Sequence, residues 1–222
     1  NMDNLTLVIP AKKEADSLPK VLDEIKNFNC NKIVVLEEND KETIKSINPY
    51  EIKILFQTGK GYGNAIRTGI NNVSTDYLCI FNADGSFDPN DLKELLNKCQ
   101  TYDFIFASRY LKNGGSKDDT ILTKFGNFFF TSLGNIFFSL NLSDILYTYV
   151  IGKTNSFKSL NLKSDDFCLC VEIPINAVRL KQLFTDFPSF ERKRIAGKKK
   201  VNEFVDGFKI LFFMIKKFIH LK

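Results

Sequence analysis

The first half of the chain alternates short apolar runs with amphipathic stretches, the pattern of strand–helix–strand units that build a parallel sheet. Leu5-Thr6-Leu7-Val8-Ile9 reads as a strand closed by Pro10. Leu18, Val21, Leu22, Ile25 and Phe28 fall at helical spacing and predict a helix over 18–28; Lys32 to Leu36 reads as the second strand and Ile52 to Phe56 as the third. A Gly-rich turn, Gly59-Lys60-Gly61-Tyr62-Gly63, opens a predicted helix from Asn64 to about Val73. Tyr77 to Phe81 is a fourth strand, Asp91 to Cys99 a helix, and Phe104 to Ala107 a fifth strand.

The second half is less regular. From Lys124 to Leu142 a Phe-rich helix is predicted, in which Asn127, Thr131, Asn135 and Ser139 recur every four residues and draw one polar line along an apolar cylinder. Crossing a bilayer takes about 20 mostly apolar residues. No apolar run in this helix is that long, so it is expected to be buried or interfacial. A second amphipathic helix is predicted from Phe204 to Leu221, where Asp206, Lys209, Lys216, Lys217 and His220 form a narrow polar stripe. The wide apolar remainder suits a membrane interface, or packing on the domain or on a second copy. The expected organisation is one α/β domain over 1–203 and a C-terminal amphipathic helix over 204–222.

Composition narrows the chemistry. A chain of 222 residues, 44% hydrophobic, can bury one substantial core. Its net charge of +5 is uneven: Ser189 to Lys222 holds ten Lys/Arg against three acids, and the rest is slightly acidic. An anionic surface would therefore meet the C-terminal segment, and a nucleic-acid partner is not expected. His220 is the one histidine, which excludes histidine-based acid–base catalysis and histidine metal sites. The five cysteines lack paired metal-ligand spacing and read as reduced structural thiols, with Cys168-x-Cys170 packed in a strand. Asn1 ahead of Met2 reads as a cloning remnant, and no secretory pattern opens the chain, so the expected location is cytoplasmic, peripheral at the cytoplasmic membrane face.

The sharpest chemical signal is Phe81-Asn82-Ala83-Asp84-Gly85-Ser86-Phe87-Asp88-Pro89, directly after the fourth strand. Ligands of open α/β sheets collect beyond the carboxyl ends of the strands. A departing diphosphate needs its charge neutralised, which a hard divalent cation held by carboxylates supplies. Asp84 is the candidate ligand; a simple Asx turn would also explain it. Asp88 reads as the cap of the helix that follows Pro89.

Val8-Ile9-Pro10-Ala11 with Glu14, Val34-Val35-Leu36-Glu37-Glu38, Gly59-Lys60-Gly61, Asn82-Ala83-Asp84 and Ser108-Arg109-Tyr110 occur together in an order that resembles family-two glycosyltransferases of the GT-A fold. Within them it is similar to the dolichol-phosphate mannose synthase branch and its bacterial polyprenyl-phosphate relatives. The resemblance runs from Leu5 to about Lys200 and rests on co-occurrence, since each motif alone is weak. It implies a Rossmann-like, mostly parallel sheet flanked by helices. It also implies an inverting transfer, with Mg²⁺ or Mn²⁺, from a nucleotide-diphosphate sugar to a polyprenyl phosphate of the dolichol or undecaprenyl type.

Position by position, the resemblance places Pro10, Ala11 and Glu14 at the nucleotide and Glu38 at the base and ribose, with Glu37-Glu38 where two aspartates are usual. Asn82, Ala83 and Asp84 become the donor loop, with Asp84 and Asn82 on the metal and Asn82 where the family has a first aspartate. Lys60 would pair with the diphosphate or stand exposed. Arg109 falls near a donor or acceptor phosphate. Asp144 falls in the catalytic cleft as a base, or as an orienting group, or it merely caps a helix. Glu172 heads a helix near the site. Arg194-Ile195-Ala196-Gly197-Lys198-Lys199-Lys200 resembles a loop that closes over diphosphate and acceptor, Arg194 and Lys200 stabilising phosphate charge.

The leading expectation is transfer to a polyprenyl phosphate at a membrane surface, because an ionised phosphate needs no strong base. Transfer to a sugar hydroxyl in glycolipid or surface-polysaccharide synthesis, a non-catalytic nucleotide-sugar binder and a nucleotidyltransferase are the competing readings. A homo-oligomer is compatible with any of them.

Overall fold

Leu5–Pro10 is buried along its whole length, as a strand covered on both faces must be, and its apolar run is the seed from which the sheet is built. The computed structural model describes residues 2–220. The elements follow as β1 (Leu5–Pro10), α1 (Leu18–Ile25), β2 (Asn31–Leu36), α2 (Lys41–Ile47), β3 (Lys53–Phe56), α3 (Tyr62–Asn71), β4 (Tyr77–Ile80), α4 (Leu92–Lys98) and β5 (Phe104–Ser108). Then come β6 (Gly115–Ser116), α5 (Ile121–Phe138), β7 (Val150–Lys153), α6 (Thr154–Ser159), α7 (Leu169–Arg179), β8 (Phe184–Pro188), β9 (Phe190–Glu191) and α8 (Glu203–Ile219).

Seven strands form one sheet in the order β3-β2-β1-β4-β7-β5-β8, and β6 pairs with β9 beside it. Every pairing in the large sheet is parallel except the two made by β7. This is the mostly parallel, helix-flanked architecture the sequence predicts. Strand order turns back at β1, so the chain leaves β1 and β4 toward opposite sides and their carboxyl ends open a crevice. Alternate residues of β1 serve the two faces: Val8 packs with Ile66, Phe104 and Ile173 on one side, Leu7 and Ile9 with Leu22, Val34 and Tyr149 on the other.

The predicted strands and helices of the first half are present with shifts of a few residues. The first helix stops at Ile25 rather than Phe28, because the Phe28 N–H turns back to the Ile25 carbonyl. Helix α2 was not expected; it starts where the Asp40 carboxylate accepts the Thr43 N–H. Cys168 and Cys170 lie not in a strand but at the start of the buried helix α7. All five thiols are unpaired, and burial raises their pKa, that of Cys170 to about 12, which disfavours the thiolate.

Helix α5 begins earlier than predicted, because Thr120 and Thr123 form a reciprocal capping box. It ends at Ser139, where left-handed Ser139 and Asn141 turn the chain back along the helix. Asn127, Thr131 and Asn135 of its polar line face inward, while Ser139, past the helix end, is exposed. The Asn135 amide donates to the Leu142 carbonyl (2.8 Å) and accepts the Leu142 N–H (3.0 Å); Thr131 Oγ1 accepts from Ile145 N (3.1 Å) and Asn127 Oδ1 from Leu146 N (3.1 Å). The line is a rack of hydrogen bonds for residues 142–146. The apolar side is left outward, with Ile121 92% and Phe128 70% exposed.

Helix α8 packs against α5 and sends Ile210 and Met214 into the common core. Its polar stripe is divided. Asp206 is buried and accepts the Asn202 N–H, and Lys217 reaches Asn176 and Glu172 on α7, whereas Lys209 and Lys216 are exposed. Phe204, Phe208, Phe212, Ile215 and Ile219 are exposed on its outer side. Among the described residues no helix is long and apolar enough to cross a membrane. Leu221, the expected end of this helix, lies outside them.

Asn135→Ala deletes two hydrogen bonds to one backbone position and should lower the unfolding free energy by about 1–3 kcal/mol in urea titration, with an unchanged m-value.

Candidate active site

A cleft of about 330 Å³ lies at the carboxyl ends of β1, β2, β4 and β5. Pro10 and Ala11 line it from the end of β1, Glu37 from β2, Asn82, Ala83 and Asp84 from β4, and Arg109 from β5; Arg194, Lys199 and Lys200 close over it from the segment after β9. The structure thus brings together Pro10, Ala11, Glu14, Asn82, Ala83, Asp84, Arg109, Arg194 and Lys200. Three other expected residues do not line it: Glu38 and Lys60 are exposed, and Asp144 is buried behind Arg109.

The turn after β4 is an Asx turn and something more. Asp84 Oδ1 accepts the Ser86 N–H (3.0 Å) and hydroxyl (2.6 Å), which fixes the carboxylate and leaves Oδ2 facing the cleft, 3.3 Å from Arg194 Nη2. The segment carrying Arg194 is clamped on this turn: Arg192 N donates to the Ser86 carbonyl and Ile195 N to that of Asp84, both at 2.8 Å. Gly85, at φ 82°, lies under the Ile195 side chain, and a Cβ there would stand 2.4 Å from Ile195 Cδ1. Asp88 accepts from Asn90 N at the helical turn Pro89–Asp91, so it is a cap outside the cleft.

Arg109 is held by four contacts to two carboxylates. Its Nε and Nη2 meet the two oxygens of Asp144 at 2.8 and 2.9 Å, its backbone N–H meets Asp144 again, and Nη1 meets Glu191 at 3.2 Å. The guanidinium also lies over the Tyr147 ring, 4.7 Å from its centre. Burial works against the Arg109 charge, but Asp144 and then Glu191 outweigh it and set its pKa well above the ordinary arginine value. Complete burial raises the Asp144 carboxyl above its usual range, against the pull of Arg109. Asp144 is neither a helix cap nor open to the cleft; it positions Arg109.

Glu14 is buried, accepts the Ser17 hydroxyl at 2.5 Å and pairs with Lys200, which ties the C-terminal segment to the loop after β1. On the opposite wall Tyr62 stacks on Phe167 at 4.9 Å, and its hydroxyl lies 3.0 Å from Asn82 Oδ1 and 2.8 Å from Thr148 Oγ1. Burial raises the Tyr62 pKa, so the phenol stays protonated and holds the Asn82 amide oxygen.

The glycines of Gly59-Lys60-Gly61-Tyr62-Gly63 face another segment of this chain. A Cβ on Gly61 or Gly63 would stand 2.2 Å from the Asp165 carbonyl or 2.4 Å from that of Ser164. Their freedom serves the close approach of residues 164–166, which carries Phe167 to the cleft. Glu172 has the same purpose, since its carboxylate accepts the N–H groups of Lys163 (3.0 Å) and Ser164 (2.9 Å).

Sequence reasoning missed Glu37, Gln57, Tyr62, Asp118, Thr148, Phe167 and Glu191, all of which line the cleft. Glu37 and Tyr62 stood inside motifs already singled out. Asp118 and Glu191 belong to short segments brought together by the β6–β9 pair, which no periodicity announces. Among the described residues no group of three or more His, Cys, Asp or Glu converges on one point.

Comparison with known proteins bears on the family and the fold. The model of glycosyl transferase family 2 matches residues 6–160. An uncharacterized protein of Methanocaldococcus jannaschii is 24% identical over 97% of this chain and 92% of its own. An undecaprenyl-phosphate mannosyltransferase of Micrococcus luteus is 23% identical over 90% of this chain and 88% of its own. Among solved structures, glucosyl-3-phosphoglycerate synthase from Mycobacterium tuberculosis, in complex with Mn²⁺, UDP-glucose and phosphoglyceric acid, has a TM-score of 0.75 at 12% identity, covering 96% of this chain and 79% of that one. That likeness is one of fold.

Asp144→Ala strands the buried Arg109 charge and should lower the unfolding free energy by about 3–5 kcal/mol, whereas the double variant Asp144→Leu/Arg109→Met should recover most of the loss. Chemical denaturation of the three proteins measures it.

Proposed function

Since the chain belongs to glycosyl transferase family 2 and is a glycosyltransferase, we propose that it moves a sugar, with inversion, from a nucleotide-diphosphate donor to a polyprenyl phosphate at a membrane surface. The donor half rests on the loops after β1, β2 and β4. Pro10, Ala11, Glu14 and Glu37 take the nucleoside, and Asn82 and Ala83 lie beneath the diphosphate. Glu38 and Lys60 would reach the donor only from outside the cleft.

A divalent cation fits the residues present. Asp84 Oδ2 is a hard oxygen aimed into the cleft, its present partner is itself a cation, and Asn82 adds an amide oxygen. Mg²⁺ or Mn²⁺ bound there supplies charge for the departing diphosphate. Asp84 holds that charge, and Arg194 and Lys200 add two cations from the segment that closes over the cleft. Fixed Arg109 presents a guanidinium where an acceptor phosphate can enter. The acceptor oxygen attacks the anomeric carbon opposite the departing phosphate. That oxygen is already ionised, so no proton need be removed and the full engagement of Asp144 by Arg109 is no obstacle.

The observation that carries the acceptor class is the junction of the cleft with the two outward-facing apolar helices. Val201 lines the cleft and Asn202 caps α8; Leu146 lines it and is bonded to Asn127 of α5. A lipid tail leaving the cleft runs directly onto Phe204, Phe208, Phe212, Phe125 and Phe128, with Lys124, Lys209 and Lys216 exposed beside them for anionic headgroups. The Micrococcus luteus relative, named for undecaprenyl phosphate, supports the same class.

With a panel of UDP- and GDP-sugars and Mn²⁺, sugar should pass to undecaprenyl or dolichyl phosphate into an organic-extractable product, and Asp84→Asn should abolish it. Transfer to 3-phosphoglycerate or to a glycan hydroxyl instead would replace the acceptor assigned here.

The membrane contact has its own test. Substituting Phe204, Phe208 and Phe212 together by Ser alters exposed positions only, so melting temperature and donor binding should hold. Co-sedimentation with anionic liposomes should fall by more than about tenfold, because each Phe contributes roughly 1.5–3 kcal/mol when buried. Equal pelleting would mean that this face does not contact lipid.

A further inference from the structure

We propose that Arg194 holds the place of a divalent cation between Asp84 and Asp118, and that Asp118 is the second carboxylate of the cation's site. The inference rests on the reading of Asp84 as a metal ligand and adds a residue to it.

The guanidinium fork carries Nε and Nη2 on one edge, and a single carboxylate ordinarily takes that edge with two short bonds, as Asp144 takes Arg109 at 2.8 and 2.9 Å. In Arg194 the same edge is divided. Nη2 lies 3.3 Å from Asp84 Oδ2 and Nε lies 3.3 Å from Asp118 Oδ2. Two carboxylates from loops far apart in sequence thus converge on one small region, with both contacts longer than a charge-assisted bond prefers. Their mutual repulsion calls for a cation between them, and one delocalised charge answers two. A divalent ion held by both carboxylates would answer two charges with two.

The second carboxylate is preset for this. Ser116 Oγ accepts the N–H groups of Asp118 (3.1 Å) and Asp119 (2.9 Å) while donating to Glu191, which itself pairs with Arg109. Asp119 is turned away, its oxygens taken by Tyr110 and Thr123, so Asp118 alone of the two lines the cleft. Asn82, whose amide oxygen already lies against Tyr62, brings no charge to the site. Asp118 supplies it. Exchange requires only the Arg194 side chain to leave, since Arg192 and Ile195 keep the backbone fastened to the Asp84 turn. The displaced guanidinium remains tethered above the cleft, where a donor's phosphates are the nearest anions available to it.

Mn²⁺ alone, without nucleotide, is titrated into the purified protein, and unbound Mn²⁺ is read from its EPR signal. Arg194→Ala should bind Mn²⁺ at least about tenfold more tightly than the unsubstituted chain. Lys193→Ala, which removes the same charge from an exposed neighbour, should not. Adding Asp118→Asn to Arg194→Ala should take the gain away. The proposal is overturned by an Arg194→Ala protein that binds no tighter than Lys193→Ala, or by a double variant that keeps the gain. If Arg194→Ala/Asp84→Asn also keeps it, the reading of Asp84 as ligand fails too. Metal-free melting curves establish that each variant is folded, with Asp118→Ser as the substitute should Asp118→Asn not be.

Discussion

A carboxylate as deeply buried as Asp144 must be answered by a cation, and the cleft is arranged around that requirement. Arg109 comes to it from the end of β5, Glu191 approaches from β9, and Tyr147 covers the pair with its ring. The carboxylate cannot choose its own position, because residues 142–146 are hung on the inner polar line of α5. One desolvated ion pair therefore links strand β5, a surface helix and the small β6–β9 ribbon. Its short bidentate contacts contrast with the longer, divided contacts of Arg194, while Lys200 is tied through Glu14 to the loop after β1.

Much of this was legible in the sequence and some was not, for physical reasons. Parallel strands must be apolar on both faces, so Leu5–Pro10 and Asn31–Leu36 stood out as runs, and ligands gather at strand ends, so Asp84 and Arg109 could be placed by counting. The polar residues of α5 were visible at their four-residue spacing, yet their direction was not. Periodicity states that a helix has two sides without saying which of them faces the protein. Asp144 was placed in the cleft as a possible base; only the structure reveals that both its oxygens are committed to Arg109. The glycines around Lys60 looked like a phosphate turn because close backbone approach has the same signature whether the neighbour is a ligand or residues 164–166.

The two amphipathic helices follow from one economy. Each spends its polar side on the protein, α5 on the 142–146 segment and α8 through Asp206 and Lys217, and each is left with phenylalanines outward. An apolar surface of that extent needs a partner, and on α8 it starts at Phe204, three residues after Val201 in the cleft. For the lipid acceptor proposed above, the site needs a boundary between two solvents, and the exposed phenylalanines would draw it at the rim.

Strand β7 gives the sheet a dependence on the order of synthesis. The four strands on one side of it and the two on the other are paired into one sheet only through β7, which is four residues long and lies late in the sequence. Until residue 153 has left the ribosome, the edge of β4 has no neighbour of its own to pair with. An unpaired, apolar edge of this kind is where nascent chains join the wrong partner. The reversed strand that delivers Tyr147 and Thr148 to the cleft is therefore also the clasp of the sheet, and its two parts stay unjoined until it closes.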